Sequence, residues 1–444
     1  MSHSNYVIEG IQEELLQTSR RSFMKRLAGG VAAAGLLGGT GLATATPFKE
    51  LMDAADAMPV DDMGDERFWL SVKGQFTLRE GLAVMNAANL CPSPYPVMET
   101  VFSLTRDVDA DASFQNRGKF RGMREDARTK LSALLGSDAD EIAIVRNTSE
   151  ANNVISSGFE LKAGDEILLS DLNHPSNNKA WEVKSRRYGF KINYFHVETP
   201  PNSQEEIISA MTAAITPNTK LISFTHVSNT TGLLMQAKEL CAVARQRGIF
   251  VHVDGAQSFG ALKVDLHDMG CDSYSGSAHK WFMGPKEAGV LYVRQAAQDQ
   301  IWPSIISAGY RDDVVGARKY EALGQRDDGA VSAVGRTVDF HNKLGPDRVE
   351  ARMRQVAGAI KEGLSKLSGV TFSTAMDPEL SAGVVIFKPG DLDTRKAFAK
   401  LYSDYNIAGA GMGPNIRLSP HIYNTMEEAE RAVKAVAEMM KNGI

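Results

Sequence analysis

What most constrains this chain is an alternation that runs through its middle. Short apolar runs of strand length occur at Glu141–Val145, Glu166–Ser170, Lys191–His196, Leu221–Thr225, Ile249–Asp254 and Val290–Val293. Between them lie stretches of helical pattern, such as Lys119–Leu135, Gln204–Ile215 and Gln236–Gly248. In the first of these, Met123, Ala127, Leu131, Leu134 and Leu135 fall on one side. Short buried strands separated by helices build βαβ units and a mostly parallel sheet, so the fold class is α/β. Ligands of such sheets bind outside the carboxyl ends of the strands. The residues that directly follow each run are therefore the informative ones.

The texture changes near residue 330. Long helices at Ser332–Leu344 and Asp347–Leu367 precede isolated strands at Val370–Ser373, Gly383–Phe387 and Ile416–Ser419. Thr425 with Glu428 opens a terminal helix as a capping box. This predicts a large domain over 110–330 and a smaller α+β domain over 331–444, after an N-terminal segment 46–109. Residues 1–45 read as an address. Ser19-Arg20-Arg21-Ser22-Phe23-Met24-Lys25 matches the twin-arginine export pattern, a Gly/Ala-rich run follows, and Ala43-Thr44-Ala45 is a small-x-small cleavage site. The expected partner there is the twin-arginine (Tat) export machinery. The expected location is periplasmic or otherwise extracytoplasmic, with no membrane attachment after cleavage.

Of 444 residues, 43% are hydrophobic and 23% charged, which excludes a disordered chain or a coiled-coil rod. A net charge of −5 argues against nucleic acid as a partner. The three cysteines, Cys91, Cys241 and Cys271, form no CxxC pair, so neither a thiolate metal site nor a disulfide framework is expected. His252 and Asp254 share a strand face, but no third ligand has suitable spacing, and no metal is expected.

Five strand-end features remain. Asn147-Thr148-Ser149-Glu150 is an N-cap signature after a strand, and a helix start there suits a phosphate. His174 follows the next run, in Asn173-His174-Pro175, and Asn229 lies in the polar turn Ser228–Gly232. Asp254 ends an apolar run in Val253-Asp254-Gly255-Ala256-Gln257, where a carboxylate needs a cation or donors nearby. Lys280, in Ser277-Ala278-His279-Lys280-Trp281-Phe282, has apolar neighbours on one side, and desolvation lowers an amine's pKa and makes it nucleophilic.

In that order these residues resemble the pyridoxal-phosphate enzymes of fold type I. The likeness is to the class V aminotransferase and cysteine desulfurase group, nearest its isopenicillin N epimerase-like branch, and it runs from about Gly81 to the C-terminus. The resemblance implies that Lys280 holds pyridoxal 5′-phosphate as a Schiff base and shuttles the substrate's α-proton. Asp254 is implied to pair with the pyridine nitrogen; a unit charge at ~4 Å and an effective dielectric of ~20 is worth ~4 kcal/mol. Gln257 and Asn229 are implied to bond the phenolic oxygen and His174 to stack on the ring. Thr148, Ser149, Ser277 and His279 are implied to hold the phosphate. Arg417, in Ile416-Arg417-Leu418-Ser419-Pro420, matches the arginine that grips a substrate carboxylate, and Tyr423-Asn424-Thr425 completes that pattern. The family is usually homodimeric. Gln325, in Gly324-Gln325-Arg326-Asp327, stands where its members often have a Thr that reaches the partner's phosphate.

The expected activity is a transformation of an amino acid, or of an amino-acid moiety in a small molecule: transamination, epimerisation, or C–S or β-elimination. A non-catalytic cofactor-binding module is the alternative. No cysteine lies between Leu380 and Arg417, which disfavours cysteine desulfuration. Ala408–Pro414 reads as a flexible Gly-rich loop at the site.

Overall fold

The alternating apolar runs become the strands of one seven-stranded sheet in the computed structural model, which describes residues 66–310 and 314–444. The export segment expected at 1–45 lies outside the described residues. The strands are β1 (Ile142–Val145), β2 (Glu166–Ser170), β3 (Lys191–Phe195), β4 (Thr219–Thr225), β5 (Phe250–Asp254), β6 (Ser273–Ser277) and β7 (Gly289–Val293). Their order is β1-β7-β6-β5-β4-β2-β3. The four pairings from β6 through β5, β4 and β2 to β3 are parallel, and only β7 runs against its neighbours. Successive residues serve opposite faces. Leu168, Ile222 and Val253 pack into one core with Leu240 and Phe259, while Ile167, Leu169 and Leu221 pack into another with Trp181 and Val154. Each such side chain contributes about 1.5–3 kcal/mol when fully buried.

One strand departs from the sequence reading. The Ser-rich segment Ser273-Tyr274-Ser275-Gly276-Ser277 is not among the apolar runs and is nonetheless β6, buried throughout. Its serines are tolerated because their hydroxyls find partners, Ser275 on Asn152 and Ser273 on His252.

The C-terminal part carries a four-stranded antiparallel sheet of β8 (Val370–Phe372), β9 (Val385–Pro389), β10 (Ala410–Met412) and β11 (Asn415–Leu418), in the order β10-β11-β9-β8. The loop expected over Ala408–Pro414 is mostly hairpin: Ala410–Met412 pairs with Asn415–Arg417. Gly409 permits this approach, because a Cβ there would lie 2.8 Å from the Arg417 carbonyl oxygen and 2.7 Å from Leu418 Cδ2. Ala83–Val84 also joins this region, in parallel with Ile407–Ala408. The terminal helix Met426–Asn442 starts on the expected Thr425/Glu428 capping box. Among the described residues, no helix is long and apolar enough to cross a membrane.

Two devices fix the strand ends. The outer edge of β1 is closed by a buried ion pair. Arg128 donates to Glu321 at 2.6 and 3.0 Å and to the Ile142 carbonyl, and Glu321 accepts the Ile144 N–H. The pair thus satisfies backbone groups that an edge strand would leave open. The second device clamps the chain after β6. His421 donates Nε2–H to the Trp281 carbonyl (2.7 Å) and His341 to the Phe282 carbonyl (2.9 Å). The Trp281 indole donates to Gln257 Oε1 (2.7 Å), and the Phe282 ring lies between Phe259 and His341. Residues 280–282 are thereby held by helix Asp328–Leu344 and by the turn after β11.

Two outcomes follow from these devices. Arg128→Ala leaves Glu321 buried without its cation and should cost about 3–5 kcal/mol of unfolding free energy in a denaturant titration; a loss under about 1 kcal/mol would refute the edge-closing role. The second concerns pH. Burial depresses His341, His252 and His226 to about 4 and His421 to about 3, from an ordinary 6.5. The unfolded chain therefore binds more protons below 6.5, so stability falls as pH drops from 6.5 towards 4. His341→Gln should flatten the upper part of that slope, above the carboxylate range. A wild-type profile flat from 6.5 to 5 would contradict it.

Candidate active site

Asp254 is the last residue of β5 and is 1% exposed. Its carboxylate is held by two donors: Asn152 Nδ2 to Oδ2 at 2.9 Å and the Ala256 N–H to Oδ1 at 3.0 Å. Gly255 lets the chain turn at this point, since a Cβ there would meet the Tyr274 ring at 2.0 Å. The carboxylate is thus a fixed anion at the carboxyl end of the sheet.

Lys280 follows the end of β6 by three residues. Desolvation lowers its pKa and the Arg417 cation adds to that, while Asp254 opposes both. The amine is therefore easier to deprotonate than an ordinary lysine, and it shares a field with Asp254 and Arg417. His174 belongs to the same field. It caps helix Pro175–Tyr188, with Nδ1 accepting the Ser176 N–H (3.2 Å). Desolvation and the Lys280 and Arg417 cations lower its pKa, and Asp254 raises it, so a neutral imidazole is favoured.

A polar cradle lies at the neighbouring strand ends. Asn147 caps helix Thr148–Gly158 through the Glu150 N–H (3.0 Å). Ser277, the last residue of β6, accepts the Thr148 N–H (2.9 Å) and bonds its hydroxyl (2.8 Å). Ser149 is exposed on the first turn of that helix, where N–H groups lack helical acceptors and the dipole favours an anion. His279 is partly buried, with its pKa pushed down to about 4 by desolvation and by Lys280 and Lys286.

Arg417, on β11, closes the group. It is 5% exposed, with Nη1 on the Asn229 carbonyl (3.2 Å) and Nη2 on Asn86 Oδ1 (3.3 Å). Its Nε is buried with no hydrogen-bond partner among the described residues, and desolvation brings its pKa down to about 10. A buried guanidinium with a spare donor and only neutral partners is suited to an incoming carboxylate.

Asn229 thus enters through its carbonyl, bonded to Arg417. Gln257 is largely committed within the protein: Oε1 takes the Trp281 indole and Nε2 the Ala88 carbonyl (2.9 Å), leaving one N–H. Gln325 is exposed and accepts from Arg117 (2.6 Å) just before helix Asp328–Leu344. Sequence reasoning missed Asn152, Asn86, His341 and His421. Asn152 lies one helical turn after Thr148, which was the available signal; the others come from distant segments and gave none. All three thiols are buried. Burial pushes Cys91 up to about 12 and raises Cys241 and Cys271 as well, so none is a ready nucleophile.

These donors suit a group with an aldehyde, a cationic ring nitrogen and a phosphate: Lys280 for the first, Asp254 for the second, the Thr148–Ser277 cradle for the third. Comparison with known proteins agrees. Residues 93–432 match the family described as aminotransferase class-V. The chain is 33% identical over 394 residues to isopenicillin N epimerase of Amycolatopsis lactamdurans, covering 84% of this chain and 99% of that protein. Its identity to isopenicillin N epimerase of Streptomyces clavuligerus is 32%, covering 83% and 97%. The structure superposes on apo cysteine desulfurase from Thermococcus onnurineus NA1 with a TM-score of 0.76 at 24% identity, covering 83% and 97%, a likeness of fold. The chain belongs to the class V aminotransferase family and is a pyridoxal-phosphate-dependent enzyme of the fold type I architecture.

Proposed function

We propose that this enzyme epimerises the α-carbon of an amino acid or of an amino-acid moiety in a larger small molecule. The observation that carries the reading is the common field of Lys280, Asp254, His174 and Arg417. Bound there, pyridoxal phosphate supplies an electron sink for the pair left when an α-carbon bond breaks. Arg417 binds the substrate carboxylate, using the buried Nε that has no protein partner. Lys280 holds the cofactor through its amine and, once freed by the substrate, takes and returns the α-proton at Nζ. Inversion requires proton delivery to the opposite face. His174 is the second nitrogen base in the same field, and the neutral form favoured for it is the one able to accept a proton. Asp254 keeps the sink cationic. Thr148 and Ser277, with Ser149 and His279, hold the phosphate, and Gln257 and Asn229 border the ring. Similarity to two epimerases supports inversion over transamination and elimination in this reading. The buried thiols weigh against a persulfide route.

The same reading includes a homodimer, supported by the exposure of Gln325 where a neighbouring subunit could reach it. It also includes delivery by the twin-arginine route to the periplasm or another extracytoplasmic space, a reading supported by residues 19–45 of the sequence.

The test is to incubate holoenzyme in D2O with L- and D-amino acids and short peptides that carry a free α-amino acid head. Chirality, α-deuterium, keto acid and ammonia are then measured. Inverted product with deuterium at the α-carbon is expected; keto acid or ammonia without inversion refutes epimerisation. Lys280→Ala should abolish the visible absorption of the bound cofactor, and an unchanged spectrum would exclude that lysine. Arg417→Ala should raise KM for carboxylate substrates at least tenfold, ~1.4 kcal/mol; an unaltered KM refutes its role.

A further inference from the structure

Beneath Asp254 lies a chain of buried polar side chains that the assigned roles leave unexplained. Asn152, on the inner face of helix Thr148–Gly158, is 0% exposed, as is His252 on β5, two residues before Asp254. Asn152 Nδ2 donates to Asp254 Oδ2 at 2.9 Å. Its Oδ1 receives two contacts, the Ser275 hydroxyl at 2.7 Å and His252 Nε2 at 2.9 Å. His252 Nδ1 meets the Ser273 hydroxyl at 2.8 Å.

The bonding pattern fixes every orientation. Asp254 is acceptor-only as a carboxylate, so the Asn152 atom facing it must be the NH2 group. The Asn152 oxygen then needs donors, and it has two. His252 must therefore carry its proton on Nε2, and Nδ1 accepts from Ser273. A flipped amide would set its oxygen against the carboxylate and its NH2 against the two donors. Two strands, β5 and β6, thus converge on a single amide carried by one helix, and that amide supplies one of the donors to Asp254.

We propose that Asn152 is a positioning residue that holds the Asp254 carboxylate in place for the cofactor's ring nitrogen, and that His252 and Ser275 act through it by fixing the direction of its amide. The inference rests on Asp254 being the ring-nitrogen partner. Without the Asn152 donor, the carboxylate keeps only the Ala256 N–H and can turn about its Cβ–Cγ bond. It would then be a worse partner for a cationic nitrogen while the aldehyde and phosphate contacts stay intact.

The test compares two cofactors on purified protein. Apoenzyme of wild type, Asn152→Ala and Asp254→Asn is titrated with pyridoxal phosphate and with 1-deaza-pyridoxal phosphate, in which CH replaces the ring nitrogen, and dissociation constants are read from absorbance and dialysis. Asn152→Ala should weaken pyridoxal phosphate about tenfold and leave the deaza analogue within twofold, because the analogue has no nitrogen for Asp254 to hold. Equal weakening of both would mean that Asn152 is merely structural and would overturn the proposal. Asn152→Ala matching wild type while Asp254→Asn discriminates between the cofactors would also overturn it, leaving the Asp254 reading standing. Asp254→Asn showing no discrimination would overturn both. Should Asn152→Ala fail to fold, His252→Leu with Ser275→Ala keeps the amide but removes its donors. The same selective weakening is then expected, and equal affinity to wild type for both cofactors refutes the chain.

Discussion

The site depends on a carboxylate placed where water is nearly excluded. Asp254 is buried at the end of β5, and an anion in that position requires donors and cations to offset lost hydration. The donors come from Asn152 and the Ala256 N–H, and Lys280 and His174 lie within its field. Parallel strand order explains the meeting. β4, β5 and β6 are neighbours running in one direction, so the residues that follow them emerge side by side.

Lys280 needs a different kind of support. A lysine must be free to form and release a covalent bond, so the fold holds its backbone and leaves its amine unbound. His341 and His421 bond the two carbonyls that follow it, Cys91 N–H bonds the His279 carbonyl, and Trp281 is pinned through Gln257. His421 lies four residues after Arg417. One short stretch therefore supplies both the guanidinium proposed for the substrate and a clamp on the lysine's backbone.

Much of this was legible in the sequence, because buried parallel strands announce themselves as apolar runs. Five of the six expected runs end within one residue of the observed strand, and Leu221–Thr225 lies inside β4. β6 was missed for a physical reason: its serines mimic a loop, and only their partners on Asn152 and His252 make them acceptable inside a sheet. β10 was missed likewise, since the glycines around it serve a close backbone approach to β11 that composition alone reads as looseness. The residues Asp254, Lys280 and His174 were visible from their positions after apolar runs or small polar segments, and Arg417 from the family resemblance. The residues that hold them were not. Asn86 reaches Arg417, and His421 reaches Trp281, across hundreds of positions or through turns without a local pattern.

The charges explain the order in which the site can fill. The group contains two basic side chains, Lys280 and Arg417, facing one buried carboxylate, and the Thr148–Ser277 cradle adds a helix N-terminus of positive sign. In the proposed function the cofactor's phosphate takes the cradle, and Arg417 is left for a second anion. Among the described residues that guanidinium bonds the neutral oxygens of Asn229 and Asn86 and no carboxylate. Its burial is a cost carried by the free protein, visible in a pKa brought down to about 10. In the proposed function, a substrate carboxylate relieves that cost on binding, because it pairs the buried guanidinium with an anion.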